Sequence, residues 1–192
     1  DFRRHCRRFF ALQDIDAQTF SSRVTDMIMR YRRQVTYGQL NLLDSHDVSR
    51  FLSLCDGDIS RMKLAVLFQM TFVGMPCVFY GDEKGMTGVL EEEYRHPMPW
   101  DNKDSEIQAF YKKAACLRQQ YTALRRGDFW MIFAGRDGGM VHYTREVADE
   151  VIGVMMNRSN ESVNVSIPGE ILWQEQLNCD ILGAYGFVLY RK

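Results

Sequence analysis

Between Ala17 and Arg33 the apolar positions Phe20, Val24, Met27, Ile28 and Tyr31 share one face at helical spacing, which predicts an amphipathic helix with Asp16 or Thr19 as N-cap. Leu40 to Leu43 form a short apolar run that gives way to Asp44, Ser45, His46 and Asp47, the pattern of a buried strand delivering polar groups at its C-terminal end. Ser60 to Val73 is almost wholly apolar after its first turn and reads as a buried helix; Gly74 and Pro76 end it before the run Cys77-Val78-Phe79-Tyr80, a second buried strand. A long loop rich in glycine and charge, Gly81 to Lys103, leads to a helix over Ser105 to Gln119. There Ser105 and Gln108 have capping-box spacing, and Ile107, Phe110, Tyr111, Ala114 and Leu117 share a face. Helices alternating with buried strands imply parallel strands joined by crossovers, as in an α/β sheet or barrel.

Beyond Gly127 the texture changes to short alternating segments at Phe129–Phe133, Met140–Thr144, Val151–Met156, Val163–Ile167 and Phe187–Tyr190. Turn residues such as Asp137-Gly138-Gly139 and Pro168-Gly169 separate them, so this half is expected to be an antiparallel β-sandwich. The change sets a boundary near residue 122, giving an α/β unit over 1–122 and an all-β unit over 123–192.

At 192 residues and 46% hydrophobic, the chain is long enough to bury a substantial core as one domain or two small ones. A formal net charge of −1 argues against nucleic acid as a partner, since phosphate neutralisation needs a basic face; neutral substrates fit better. Arginines do gather early, at Arg3, Arg4, Arg7, Arg8, Arg23, Arg30, Arg32 and Arg33, but without interleaved aromatics, and a solvated helix face is the simpler reading. The cysteines Cys6, Cys55, Cys77, Cys116 and Cys179 are odd in number, widely spaced and without a CxxC pair, which suits reduced core residues rather than a metal or redox site. That usage, with no apolar run of membrane-spanning length and no signal peptide at the start, points to a cytoplasmic protein without membrane contact. A chain that opens on Asp1 rather than Met leaves upstream targeting signals open.

Three motifs sharpen the picture. The segment Asn41-Leu42-Leu43-Asp44-Ser45-His46-Asp47-Val48-Ser49-Arg50-Phe51 resembles the motif at the end of the seventh barrel strand in the α-amylase family of glycoside hydrolases, most closely in its neopullulanase and cyclomaltodextrinase branch. Gly74-Met75-Pro76-Cys77-Val78-Phe79-Tyr80-Gly81-Asp82-Glu83 resembles the eighth-strand motif, and Arg95-His96-Pro97-Met98-Pro99-Trp100-Asp101 the stretch that follows it. The resemblance extends over roughly residues 10 to 120 and implies the C-terminal portion of a (β/α)8 barrel, about strands seven and eight with flanking helices, followed by the family's β-sandwich. A whole barrel needs about 250 residues.

Retaining glycosidases use one carboxylate as nucleophile and a second carboxyl group as acid and base. By resemblance Asp47 is the third acid that this family adds, gripping hydroxyls of the distorted sugar and stabilising the transition state, while His46 donates to the same ring. Glu91 and Arg95 occupy places that hold the next sugar, although the family usually has Asp at the first; Arg50 and Asp82 are candidates to orient Asp47 or to line the cleft, with an ordinary buried ion pair at least equally favoured for each. Trp100 and Tyr80 fit either sugar stacking or the core, the core being favoured. The nucleophile and the acid/base match nothing in these residues, so the chain alone is expected to be inactive. No metal is expected: Asp56-Gly57-Asp58 reads as a capped turn, and calcium sites of relatives fall in regions outside this chain. The resemblance thus implies an α-glucan hydrolase acting on α-1,4 links in maltooligosaccharides, cyclodextrins or pullulan. Two other readings remain, an inactive amylase-like partner protein, and a carbohydrate-binding or association module using Trp130, Tyr143, Trp173 or Tyr185. Unpaired strand edges lead to the further expectation that the chain self-associates.

Overall fold

The computed structural model describes residues 1–101, 105–136 and 138–192; the end of the predicted loop at Lys103 and Asp137 of the predicted turn lie outside the described residues. The chain opens with α1 (Phe2–Cys6), which continues into a π-helical turn over Arg7–Ala11. In α2 (Ala17–Met29) the cap is Asp16, whose Oδ1 accepts the Thr19 N–H at 2.7 Å. This helix stops at Met29, short of Arg33, because Arg32 is extended and the chain restarts as α3 (Arg33–Gly38).

Next come β1 (Leu40–Asn41), α4 (Phe51–Leu54) and α5 (Ile59–Thr71), with Asp58 capping α5 through the Ser60 N–H at 2.8 Å. Every residue of α5 from Met62 to Thr71 is buried, which explains why its sequence shows no polar face. Gly74, with φ of +97°, then turns the chain so closely past Asn41 and Gln39 that a Cβ would lie 2.7 and 2.8 Å from their atoms. The following strand, β2 (Met75–Pro76), pairs in parallel with β1, Leu40 opposite Met75 and Asn41 opposite Pro76. Pairing therefore sits upstream of the expected Cys77–Tyr80 run. The bond from Cys77 N–H to Asn41 O, 2.9 Å, extends it past Pro76, but the first chain leaves the strand direction after Asn41.

The short helix α6 (Glu91–Tyr94) interrupts the long loop, and α7 (Glu106–Gln120) and α8 (Thr122–Arg126) close the helical part. Ser105 Oγ caps α7 by accepting the Gln108 N–H at 3.3 Å, while the Gln108 side chain accepts from Lys84 Nζ. Six antiparallel strands follow: β3 (Asp128–Ala134), β4 (Met140–Val147), β5 (Glu150–Asn157), β6 (Val163–Asn164), β7 (Glu170–Asn178) and β8 (Ile181–Arg191). All belong to one hydrogen-bonded sheet rather than two separate ones, because the long β8 pairs with β5, β6 and β7. The sandwich-like character comes from packing: Val163, Val165 and Ile167 cover Met155, Leu182, Val188 and Tyr190 on one face.

The other face joins the helices in a single core that runs from Phe2 to Leu189. Phe9 stacks on Phe20 at 4.2 Å, Phe20 meets Phe68 of α5 edge-on at 5.1 Å, and Phe68 meets Tyr143 of β4 edge-on at 5.7 Å. Among the cysteines only Cys6 and Cys55 are core residues; Cys77 is half-buried and Cys116 and Cys179 are exposed, all five unpaired. No described helix is long and apolar enough to cross a membrane.

Candidate active site

The site is built on the end of β1. Asn41 is buried, its Nδ2 donates to Val73 O at 2.6 Å, and Gln69 of α5 donates to both Asn41 O, at 2.8 Å, and Cys77 O, at 3.0 Å. One amide therefore ties both parallel strands to the helix beneath them. From there the chain passes through the buried Leu43 and Asp44, rises through His46 and Asp47, and returns to the core at Arg50. The side chains of His46 and Asp47 are 68% and 66% exposed, so this part of the loop is open to a ligand.

The α6 segment packs beside that loop. Arg50 N–H donates to Gly88 O at 2.9 Å and Ser49 Oγ to Val89 O at 3.2 Å. Glu93 steadies the start of α6 by accepting from Val89 and Leu90 N–H at 2.7 and 3.0 Å, and those bonds hold its carboxyl below its ordinary range. Arg95, just past the helix, then serves three partners. Its Nε donates to His46 O at 2.9 Å, its Nη1 lies 2.7 Å from Glu91 Oε1, and its Nη2 lies 3.6 Å from Asp47 Oδ1. His46 Nε2 is 3.1 Å from the same Asp47 oxygen. Four of the residues read from the sequence, His46, Asp47, Glu91 and Arg95, thus converge in one exposed cluster that presents two carboxylates, an imidazole and a guanidinium. Such a set both accepts from and donates to hydroxyl groups.

Arg50 and Asp82 do not belong to this surface. Their side chains are 0% and 3% exposed and paired at 3.2 Å, with Arg50 lying over the rings of Phe79 and Tyr80 at 4.2 and 4.8 Å. Of the two alternatives for them the buried ion pair is the one observed, and burial corrects the other, that they line the cleft and touch a sugar. Tyr80 and Trp100 depart from expectation the other way, being 40% and 77% exposed rather than core, and Tyr80 OH donates to His96 O at 2.8 Å. In the sheet, Tyr143 and Trp173 are core whereas Trp130 is exposed. Asp56-Gly57-Asp58 is the capped turn that the sequence suggests, and no cluster of potential metal ligands occurs among the described residues.

Asp44 was missed. Its carboxylate accepts the Phe51 N–H at 2.6 Å, and it lies close enough to Asp82 for each to shift the other's pKa. Burial, then the neighbouring Asp44, push Asp82 well above the usual carboxylate range; burial also raises Asp44. The signal was an acid at the end of an apolar run, two residues before His46 of the His-Asp pair.

The parallel strand pair thus ends in a cluster of two carboxylates, an imidazole and a guanidinium. Residues 4–116 match the family model described as alpha amylase, catalytic domain, and the chain belongs to the α-amylase family. A cyclomaltodextrinase of Geobacillus thermopakistaniensis (strain MAS1) is 38% identical, aligned over 95% of this chain and 34% of its own length. Neopullulanase 2 of Thermoactinomyces vulgaris is 39% identical over 85% of this chain and 28% of its own. Among solved structures, a cyclomaltodextrinase superposes with a TM-score of 0.85 at 35% identity, covering 99% of this chain and 35% of that one. The chain spans about a third of the length of these curated relatives.

Proposed function

We propose that this chain forms part of a retaining α-glucan hydrolase that cleaves α-1,4 bonds in starch-derived maltooligosaccharides, cyclodextrins or pullulan. The observation that carries the reading is the convergence of His46, Asp47, Glu91 and Arg95 on one exposed cluster past β1. In this reading residues 1–122 contribute the end of a (β/α)8 barrel, in which the active site lies at the C-terminal ends of the strands, and 123–192 the β domain behind it. Asp47 accepts hydroxyls of the distorted ring and stabilises the oxocarbenium-like transition state, while His46 donates to the same ring. Glu91 and Arg95 hold the adjacent sugar. The nucleophile and the acid/base come from strands outside these residues, so the 192-residue chain binds sugar weakly and does not hydrolyse it. Neither metal nor other cofactor enters this chemistry through these residues. The unpaired cysteines support a cytoplasmic setting.

The test is an NMR titration of the chain with maltoheptaose, paired with a hydrolysis assay. Shifts at His46, Asp47, Glu91 and Arg95 without product are expected. Shifts confined to residues 129–190 would replace the reading with that of a binding module, and turnover by the chain alone would overturn the division of catalytic acids.

A further inference from the structure

The chain from Asp44 to Arg50 is an arch whose crown carries His46 and Asp47 and whose two feet are buried. At the first foot, Asp44 reaches across to accept the N–H of Phe51, the residue just beyond the second foot, at 2.6 Å. At the second, Arg50 Nη1 lies 3.2 Å from Asp82 Oδ1 and also donates to Tyr80 O. Asp82 and Asp44 are also close enough for each to shift the other's pKa. The first foot is thus fastened to the second through Phe51, and the second to Asp82 of another segment.

We infer that Asp44 is a positioning residue of this site: with Asp82 and Arg50 it makes a buried buckle that closes the arch and holds His46 and Asp47 against Arg95. Its functional meaning rests on the glucan reading above, whereas the closed arch does not.

The electrostatics fit a closed buckle. Two adjacent carboxylates and one guanidinium taken out of water are tolerable when one carboxyl keeps its proton, leaving a single negative charge against Arg50. Burial raises both carboxyls, Asp82 further than Asp44, which is the direction that keeps a proton on the pair. The other ionisable groups facing the pair are Arg3 of α1, which acts on Asp44, and Tyr111 of α7. Burial first, then Asp82, Asp44 and Glu83, drive the Tyr111 hydroxyl well above its ordinary value, so it stays neutral.

Amide hydrogen exchange of the 192-residue chain, without sugar, tests the buckle. Asp44→Ala is expected to speed exchange at residues 45–51 by tenfold or more while α5 and β5 keep their protection. Asp44→Asn, whose amide can accept from Phe51 and donate to Asp82, is expected to restore it. An unchanged arch in D44A overturns the inference, as does loosening shared equally by α5 and β5. Should D44A not fold, D44N decides, since it keeps the acceptor for the Phe51 N–H: parent-like exchange across residues 45–51 is expected, and an arch loosened in D44N overturns the inference. Absence of maltoheptaose-induced shifts in the parent chain would sink the glucan reading alone.

Discussion

Arg95 is the side chain on which the exposed cluster turns, because a planar guanidinium serves His46 O, Glu91 and Asp47 at once. Arg95→Lys keeps the charge but not the fork. We expect it to weaken the maltoheptaose response at His46 and Asp47 about tenfold, or about 1.4 kcal/mol, measured by the same NMR titration. As an exposed position its effect on folding should stay within about 0.5 kcal/mol. His46, Asp47, Glu91 and Arg95 were legible because each lies in a local motif. Asp44, Gln69 and Tyr111 were not, because what they do is defined by partners far along the chain, and an acid at a strand end looks the same whether it meets water or a second buried carboxyl. His5 offers a test of pH dependence at this scale. Burial first, then Arg23, the terminal amino group, Arg4 and Arg30, lower its pKa from 6.5 to about 4. A histidine kept neutral in the fold contributes stability that is complete above 6.5 and is lost as pH falls toward 4. Urea midpoints across that interval should therefore fall more steeply for the parent chain than for His5→Gln.

Among the elements, α5 depends most on its neighbours. The carbonyls at and just past its C-terminus are satisfied by two arginines from elsewhere: Arg118 of α7 donates to Met70 O at 2.8 Å and Phe72 O at 3.1 Å, and Arg145 of β4 donates to Thr71 O. Arg145 also donates to Leu124 O at 2.9 Å and Gly127 O at 2.8 Å, so it fastens the sheet to both α5 and α8, and burial lowers its pKa to about 10. Arg145→Ala would leave Thr71 O without its arginine donor, whereas Leu124 O keeps Arg118 and Gly127 O keeps the Tyr37 hydroxyl, and it is expected to cost about 1–3 kcal/mol, read from urea denaturation. The three long helices α2, α5 and α7 were legible to within a few residues because their caps Asp16, Asp58 and Ser105 are local, whereas the short α1, α3, α4, α6 and α8 were not. The strand β7 was not, for a specific reason: register shifts between Ile171 and Trp173 and between Glu175 and Leu177 break the alternation that marks a strand. The first half of β8 was hidden in the same way by Gly183, Gly186 and a left-handed Tyr185. There Gly186 passes so near Leu182 and Gln176 that a Cβ would sit 2.8 and 2.9 Å from their side-chain atoms.

At the scale of the molecule, the single core joining helices and sheet explains how the chain holds together, but not what covers its outside. Within the described residues β1 and β2 pair only with each other, which leaves an unpaired backbone edge on each. Leu40, Met75 and Val78 are exposed along them. A second apolar region surrounds a hollow of about 650 Å³ between α2, α3 and β3, lined by Ile28, Met29, Tyr31, Phe129, Trp130 and Met131, with Met29 78% and Trp130 56% exposed. Apolar surface and open strand edges of this kind associate in water unless other residues cover them. The 192-residue chain should therefore sediment as a concentration-dependent mixture, and a monomer at every loading would rule this out. The two surfaces separate by mutation. Lysines at Met29 and Trp130 place charge in the hollow without touching β1 or β2, so they should shift the distribution toward monomer only if the hollow and the β3 edge beside it are the contact. Lysine at Leu40 and Met75 tests the strand edges in the same way, leaving α2 and β3 intact.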